Sequence, residues 1–226
     1  MNNKFTSTKA IVLDRKNYEE ADKIIEFITP LGRVGIIARG ARKAKSKLAG
    51  GIQLFAVNDV TYLQGRGGLK ILTSSRINLF FENIIKDYDR MNLGYDFIKL
   101  VYRNSDSTDS EQWFNILEES LASLNDFSID KRLIETWFYL RFSELIGYGL
   151  SLHYDNDGNK ILPNENYQYN ISEKGLSLSA KGAVTTNHIK LLRVLEANSI
   201  EVASRISGVD KIIDQCLEIT RAHAAI

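Results

Sequence analysis

At 226 residues, with 44% hydrophobic and 25% charged residues, the chain has globular composition and room for one large domain or two to three small ones. No apolar run approaches the roughly 18 residues of a membrane span, and the first residues, "MNNKFTSTKA", contain no apolar stretch of signal-peptide type. The one cysteine, Cys216, excludes an internal disulfide and a thiolate-cage zinc site and fits a reducing cytoplasm. The net charge of +1 conceals a division: residues 1–80 carry 14 Lys/Arg against 6 Asp/Glu, and residues 81–226 carry 15 against 22. Such asymmetry points to an anionic partner for the first part and not for the second.

Residues 8–18, 22–29, 33–40, 52–64 and 68–77 are rich in β-branched and aromatic residues and are separated by turn formers, as in "TPLG" and "GRGG". Five short strands in this span have the dimension of a small Greek-key barrel of the OB type. Alternation sends Val34, Ile36 and Ala38 to one face of the third strand and Arg33 and Arg39 to the other, and it puts Lys70 and Arg76 on one face of the fifth. From Phe81 the period changes. Phe81, Ile84, Ile85, Tyr88, Tyr95, Ile98 and Tyr102 recur as on one helix face. Residues 104–110 read as a linker, with Asp109 and Gln112 placed as a capping box. Trp113, Leu117, Leu121 and Leu124 form the next stripe. A broad apolar face follows in Leu133, Ile134, Trp137, Phe138, Leu140 and Leu145, and Gly147 and Gly149 end that helix. Residues 150–182 are Asn/Asp/Gly-rich and irregular. Two helices, about 187–197 and 209–222, close the chain, with Ile212, Ile213, Cys216 and Leu217 spaced for burial. The fold class expected is α+β: an OB-type barrel over residues 1–79, then a helical domain over 80–226 with an irregular insert at about 150–182.

The stretch "ARGARKAKSKLAG" (38–50) sets Arg39, Arg42, Lys43, Lys45 and Lys47 within nine positions, with no acid between Glu26 and Asp59. Its bland reading is a solvated loop between strands. Its functional reading is a phosphate-tracking loop made mobile by Gly40, Gly50 and Gly51, because cations on an OB barrel follow a nucleic-acid backbone. Arg33, Lys70 and Arg76 extend this surface, and Arg66 at the hairpin tip reaches toward the same strand. Tyr18 and Tyr62 are the candidates for stacking on bases.

Catalytic patterns are missing. His153, His188 and His223 have no metal-ligand spacing, no phosphate-binding GxxxxGK[ST] occurs, and Cys216 has no nearby base. "HYDNDGNK" (153–160) places His153 and Asn164 where a calcium loop needs carboxylates, so its Asp-Gly step reads as a tight turn. No catalytic residue, metal, cofactor or small-molecule substrate is expected.

"VLDRKNYEEADKIIEFITPLGRVGIIARGARKAKSKLAGGIQLF" resembles the N-terminal part of the DNA-repair protein RecO family, the bacterial recombination mediators. The resemblance rests on Tyr18 with the acids after it, Thr29 then Gly32, the run from Gly40 to Ser46, and Phe55; "FSELIGYGLSL" (142–152) resembles the end of the family's central helix. Many members carry a four-cysteine zinc site, which would fall near Tyr154, Asp157, Ser177 and Ala180; this chain has no cysteine there, and a metal-free, degenerate zinc-finger-like hairpin is expected instead. The resemblance implies a cytoplasmic, nucleoid-associated protein without covalent chemistry. Such a protein binds single- and double-stranded DNA, anneals complementary strands, interacts with the single-strand-binding protein SSB, and with RecR helps load RecA. The acidic, aromatic-ended tail of SSB needs a cation beside an apolar pocket, for which Lys131, Arg132 and Arg141 are candidates, each equally suited to a solvated role or an internal ion pair. The rivals are an RNA-binding OB-fold protein and an adaptor whose basic stretch meets an acidic protein.

Overall fold

The computed structural model describes residues 5–65, 70–105 and 109–225. The barrel strands are β1 (Phe5–Tyr18), β2 (Asp22–Thr29), β3 (Gly32–Ala38), β4 (Ala56–Gln64) and β5 (Lys70–Phe80). They close in the order β1-β2-β3-β5-β4, the five-stranded OB-type barrel expected. β1 serves two neighbours: Phe5–Ile11 pairs with β4, and Ile11–Tyr18 pairs with β2, with an irregularity between Val12 and Asp14. Antiparallel β1–β2–β3 and β4–β5 pairings are joined by a short parallel contact of Ile36 and Ile37 with Lys70 and Ile71. Ala10, Val12, Ile25, Phe27, Val34, Ile36, Ala38, Val60, Tyr62 and Leu72 fill the interior, so the alternation read from the third strand holds.

The fifth strand departs from its expected alternation. Register shifts opposite Thr61/Tyr62 and Val57/Asn58 insert extra residues into β5, so that Leu72 and Ser75, three apart, are both buried. A bulge reverses the facing of everything beyond it. Lys70 therefore shares the phase of buried Leu72, while Arg76 faces the other way and is exposed.

Two compact units divide the chain, residues 1–125 and 126–226. In the first, the barrel is followed by α1 (Tyr88–Asn104) and α2 (Ser110–Asn125). The helical period expected from Phe81 begins later. Phe81 N–H donates to Phe55 O at 2.9 Å, Ile84–Lys86 form a 3-10 turn, and α1 starts after Asp87, whose carboxylate accepts from Arg90 N–H at 2.8 Å. Its buried side is Arg90, Gly94, Phe97, Ile98 and Val101, and Ile85 and Tyr88 lie exposed. In α2 the stripe Trp113, Leu117, Leu121 and Leu124 is buried as its spacing predicts.

The second unit holds α3 (Lys131–Leu145), the hairpin β6 (Tyr167–Asn170) and β7 (Gly175–Leu178), then α4 (Thr186–Ala197), the short α5 (Ile200–Ala203) and α6 (Ile213–Ala224). α3 packs on α4 and α6. It ends where Gly147 takes φ +83°, a conformation that favours glycine. In the insert, the Asp155 carboxylate accepts from Asp157 and Asn159 N–H at 3.0 and 2.8 Å, fixing the Asp-Gly turn. Asn156 Nδ2 donates to Glu173 and Ser177 at 2.9 Å, which ties that turn to the hairpin.

Candidate nucleic-acid interface

The basic stretch is a chain of turns fastened to the barrel. Ala41 and Ile52 are buried and Leu48 and Leu54 half-buried against the core, so the loop presses its apolar residues inward. Arg39, just ahead of Ala41, and Arg42, Lys43, Lys45 and Lys47, between the anchors, are all exposed. Hydrogen bonds hold the shape: Gly40 N–H donates to the Asp22 carboxylate at 2.7 Å, Arg42 N–H to Ala21 O at 2.9 Å, and Ser46 N–H to Lys43 O at 2.9 Å. Gly51, expected to loosen the loop, tightens it. A Cβ there would come within 2.3 Å of the Ser75 backbone, and Ser75 Oγ donates to Gly51 O. Among the described residues, none of these five cations makes an ion pair, so their field faces outward as a set. Acids do stand beside two of them: Glu19 and Glu20 of the β1–β2 turn and Asp22 at the start of β2 line a cleft with Arg42 and Lys43.

The structure redistributes the other expected contacts. Arg33 is not available to a phosphate. Its guanidinium lies 4.2 Å over the Tyr102 ring, donates to Tyr102 O at 2.7 Å and meets Glu26 at 3.3 Å, clamping β3 to α1. Lys70 Nζ stands 5.6 Å from the Tyr62 ring centroid. Arg76 is exposed, with Asp59 at 4.0 Å. Arg66 lies outside the described residues. Tyr62 belongs to the barrel core and is 9% exposed, so it offers no face to a base; Tyr18, 41% exposed at the end of β1, does. Sequence reasoning passed over Arg15, exposed on β1, whose Nη1 donates to Ile52 O at 3.2 Å at the foot of the basic loop. Its signal was the set Lys9, Arg15 and Lys16 on β1, interrupted by the single acid Asp14.

In the helical unit the expected cations are already engaged. Arg132 meets Asp130 at 2.6 Å, Asp214 at 3.0 Å and Asp210 at 3.4 Å, and Asp130 and Asp214 hold its charge more firmly than usual. Arg141 pairs with Glu144 at 3.2 Å and lies 5.6 Å from the Trp137 ring centroid. Lys131, at the first position of α3, is half-buried. A cation beside an apolar pocket exists elsewhere. Leu191, Val194, Ile206, Val209 and Ile212 line a groove of about 390 Å³ with exposed Lys190 and Lys211 at its sides. Burial pushes the Cys216 thiol up to about 12, so it stays protonated at neutral pH.

Comparison with known families matches residues 1–80 to the N-terminal domain of recombination protein O and residues 86–225 to its C-terminal domain. The chain belongs to the RecO family. It is similar to the DNA repair protein RecO of Roseiflexus sp. (strain RS-1), 36% identical over 126 residues, 55% of this chain and 44% of that one. The DNA repair protein RecO of Desulfatibacillum aliphaticivorans is 29% identical over 65% of this chain and 58% of its own. That of Clostridium novyi (strain NT) is 26% identical over 94% of this chain and 85% of its own. The match thus spans about half the length of the first two RecO relatives and most of the third. The two RecO models meet between residues 80 and 86, where β5 has ended and α1 has not begun. Among the described residues, no three His, Cys, Asp or Glu side chains stand together as a metal site, and no helix is long and apolar enough to cross a membrane.

Proposed function

We propose that this chain is a DNA-binding recombination mediator of the RecO type acting in DNA repair. The observation that carries the reading is the basic loop: five cations exposed together, without carboxylate partners among the described residues, on turns anchored by buried side chains to a closed OB-type barrel. Such a surface binds phosphate without sequence preference by releasing condensed counterions. Arg39, Arg42, Lys43, Lys45 and Lys47 contact the backbone, Arg15 and Arg76 extend the contact, and Tyr18 stacks on a base. Single- and double-stranded DNA both present the required phosphates, and a surface that holds two backbones close lowers their mutual repulsion and speeds annealing.

In this reading residues 1–79 form the DNA-binding domain and residues 80–226 the docking domain. The groove between Lys190 and Lys211 takes the acidic, aromatic-ended tail of SSB, its apolar end against Leu191 and Ile212 and its carboxylates toward the lysines. With RecR, the protein then assists RecA onto SSB-coated strands in the cytoplasm, at the nucleoid. No covalent step is assigned to it.

The test is the salt dependence of binding to a fluorescent oligonucleotide. Seven phosphate contacts on a single strand, five from the loop with Arg15 and Arg76, give a log–log slope of roughly −5, and Arg42/Lys43/Lys45→Ala lowers its magnitude by about 2, at about 0.7 per contact. Failure of the wild type to bind at low salt overturns the reading in favour of a protein adaptor, and a strong preference for folded RNA favours an RNA-binding role.

A further inference from the structure

The pairing of β2 with β3 stops just short of the basic loop. Its register runs from Thr29↔Gly32 to Lys23↔Ala38, so continued pairing would set Asp22 against Arg39 and Ala21 against Gly40. At that point a side chain takes over from the main-chain ladder. The Asp22 carboxylate accepts from Gly40 N–H at 2.7 Å, and two residues further on Arg42 N–H donates to Ala21 O at 2.9 Å. Arg42 Nη1 reaches Glu19 O at 3.4 Å. The first turn of the loop then closes on itself, Lys43 N–H donating to Gly40 O at 3.1 Å. The Lys43 stem lies along that turn, since a Cβ at Gly40 would meet Lys43 Cδ at 3.5 Å. Gly40 is therefore the residue through which Arg42 and Lys43 are placed, and Asp22 holds it.

The acids beside these two cations are not equivalent. Glu19 and Glu20 are exposed, and among the described residues their carboxylates accept no hydrogen bond; Asp22 is half-buried and bonded. All three line the cleft with Arg42 and Lys43, where a negative charge by itself weakens phosphate binding. Asp22 adds an opposing effect. A carboxylate accepting from a main-chain N–H makes a charge-assisted bond, about twice as strong as a neutral one. Fixing the turn before a polyanion arrives removes ordering that binding would otherwise have to supply. A screened charge beside a solvent-filled cleft changes affinity by about twofold. Losing a bond of this kind shifts a local equilibrium by about tenfold, so the second effect prevails.

We infer that Asp22 is a positioning residue of the nucleic-acid interface: by accepting from Gly40 N–H its carboxylate sets the turn that carries Arg42 and Lys43, and it strengthens phosphate binding in spite of its own negative charge. This rests on the reading of the loop as a DNA-binding surface. It makes the β1–β2 turn the support of that surface and not its electrostatic opponent.

The test compares Asp22→Ala, Asp22→Asn and Glu20→Gln in the full chain, by amide exchange without DNA and by oligonucleotide titration across a range of salt. In Asp22→Ala, exchange at the Gly40 amide is expected to speed up about tenfold and single-strand affinity to fall about threefold to fivefold. The salt slope stays at roughly −5, because the number of phosphate contacts is the same. Asp22→Asn keeps an acceptor at the same place without the charge, and it binds within about twofold of the wild type. Glu20→Gln removes a charge and no bond, and it tightens binding by up to about twofold. Asp22→Val, favoured in a strand, repeats the alanine result with the start of β2 intact. Unchanged Gly40 exchange in the alanine and valine variants overturns the proposal. So does alanine or valine binding as tight as that of Glu20→Gln, or an asparagine variant as weak as alanine. Failure of the wild type to bind overturns the DNA-binding reading and the proposal with it, and Gly40 exchange, measured without DNA, tells that failure from failure of the brace.

Discussion

The cations of the barrel loop and those of α3 look alike in the sequence and differ completely in circumstance. Arg42, Lys43 and Lys45 stand on turns whose apolar neighbours are anchored in the core, and no described carboxylate pairs with them. Arg132 sits among three aspartates, and the Arg221 guanidinium of α6 makes a two-pronged contact with buried Glu135 at 2.6 and 2.7 Å. Cations of the first kind carry an unanswered field that a polyanion can satisfy; those of the second kind hold helices together. The density of positive charge along the chain does not distinguish the two. What distinguishes them is whether acids return from elsewhere in the chain.

Four tests, built on five substitutions and one change of pH, bear on this comparison, in order of expected size. Tyr62→Ala empties part of the barrel core and lowers stability by about 3 kcal/mol, whereas Tyr18→Ala leaves stability unchanged and weakens single-strand binding by about 1 kcal/mol or more; urea denaturation and a binding titration on both variants separate the roles. Arg221→Ala strands the Glu135 carboxylate and costs about 2 kcal/mol in the same denaturation assay, less than for a fully buried pair because Arg221 is 55% exposed and screened. Arg33→Ala is expected to cost about 1 kcal/mol of stability with no change in the salt slope of DNA binding. Lys45→Ala does the opposite, reducing the slope by about 0.7 at constant stability. If Arg33→Ala flattens the slope and leaves stability alone, the division between engaged and free cations fails. The smallest effect is with pH. Burial holds His223 and His188 below the ordinary histidine value of 6.5, so the unfolded chain binds more protons than the folded one as pH falls through 6.5. Stability is full above that value and declines below it, and thermal melting between pH 7.5 and 5.5 checks the sign.

Much of the molecule was legible because local rules decided it. β-branched runs and turn formers gave the five barrel strands, and the 3.6-residue period gave α2 and α3 their buried faces. The site was legible as far as its five loop cations, whose exposure follows from having alanine, serine and leucine for neighbours. The rest depended on distant partners. Nothing local shows that Tyr102 would cover Arg33, or that Asp210 and Asp214 would close on Arg132. The bulges in β5 are written in no residue type, yet they separate Lys70 from Arg76. The early start predicted for α1 came from Phe81, Ile84 and Ile85, whose apolar spacing is the same in a 3-10 turn as in a helix over so short a span.

The barrel closes through β1, whose opening residues find their partners only in β4. Residues 39–55, which include the cationic turns, lie inside the connection between β3 and β4 that this closure must span. Ring-closure entropy grows only logarithmically, so doubling such a connection costs about 0.6 kcal/mol. An insertion among residues 42–47, which leaves the anchors Ala41, Leu48 and Ile52 in place, can therefore lengthen the reach of the protein along a polyanion at small thermodynamic cost, and that cost falls mainly on how fast the last strand docks.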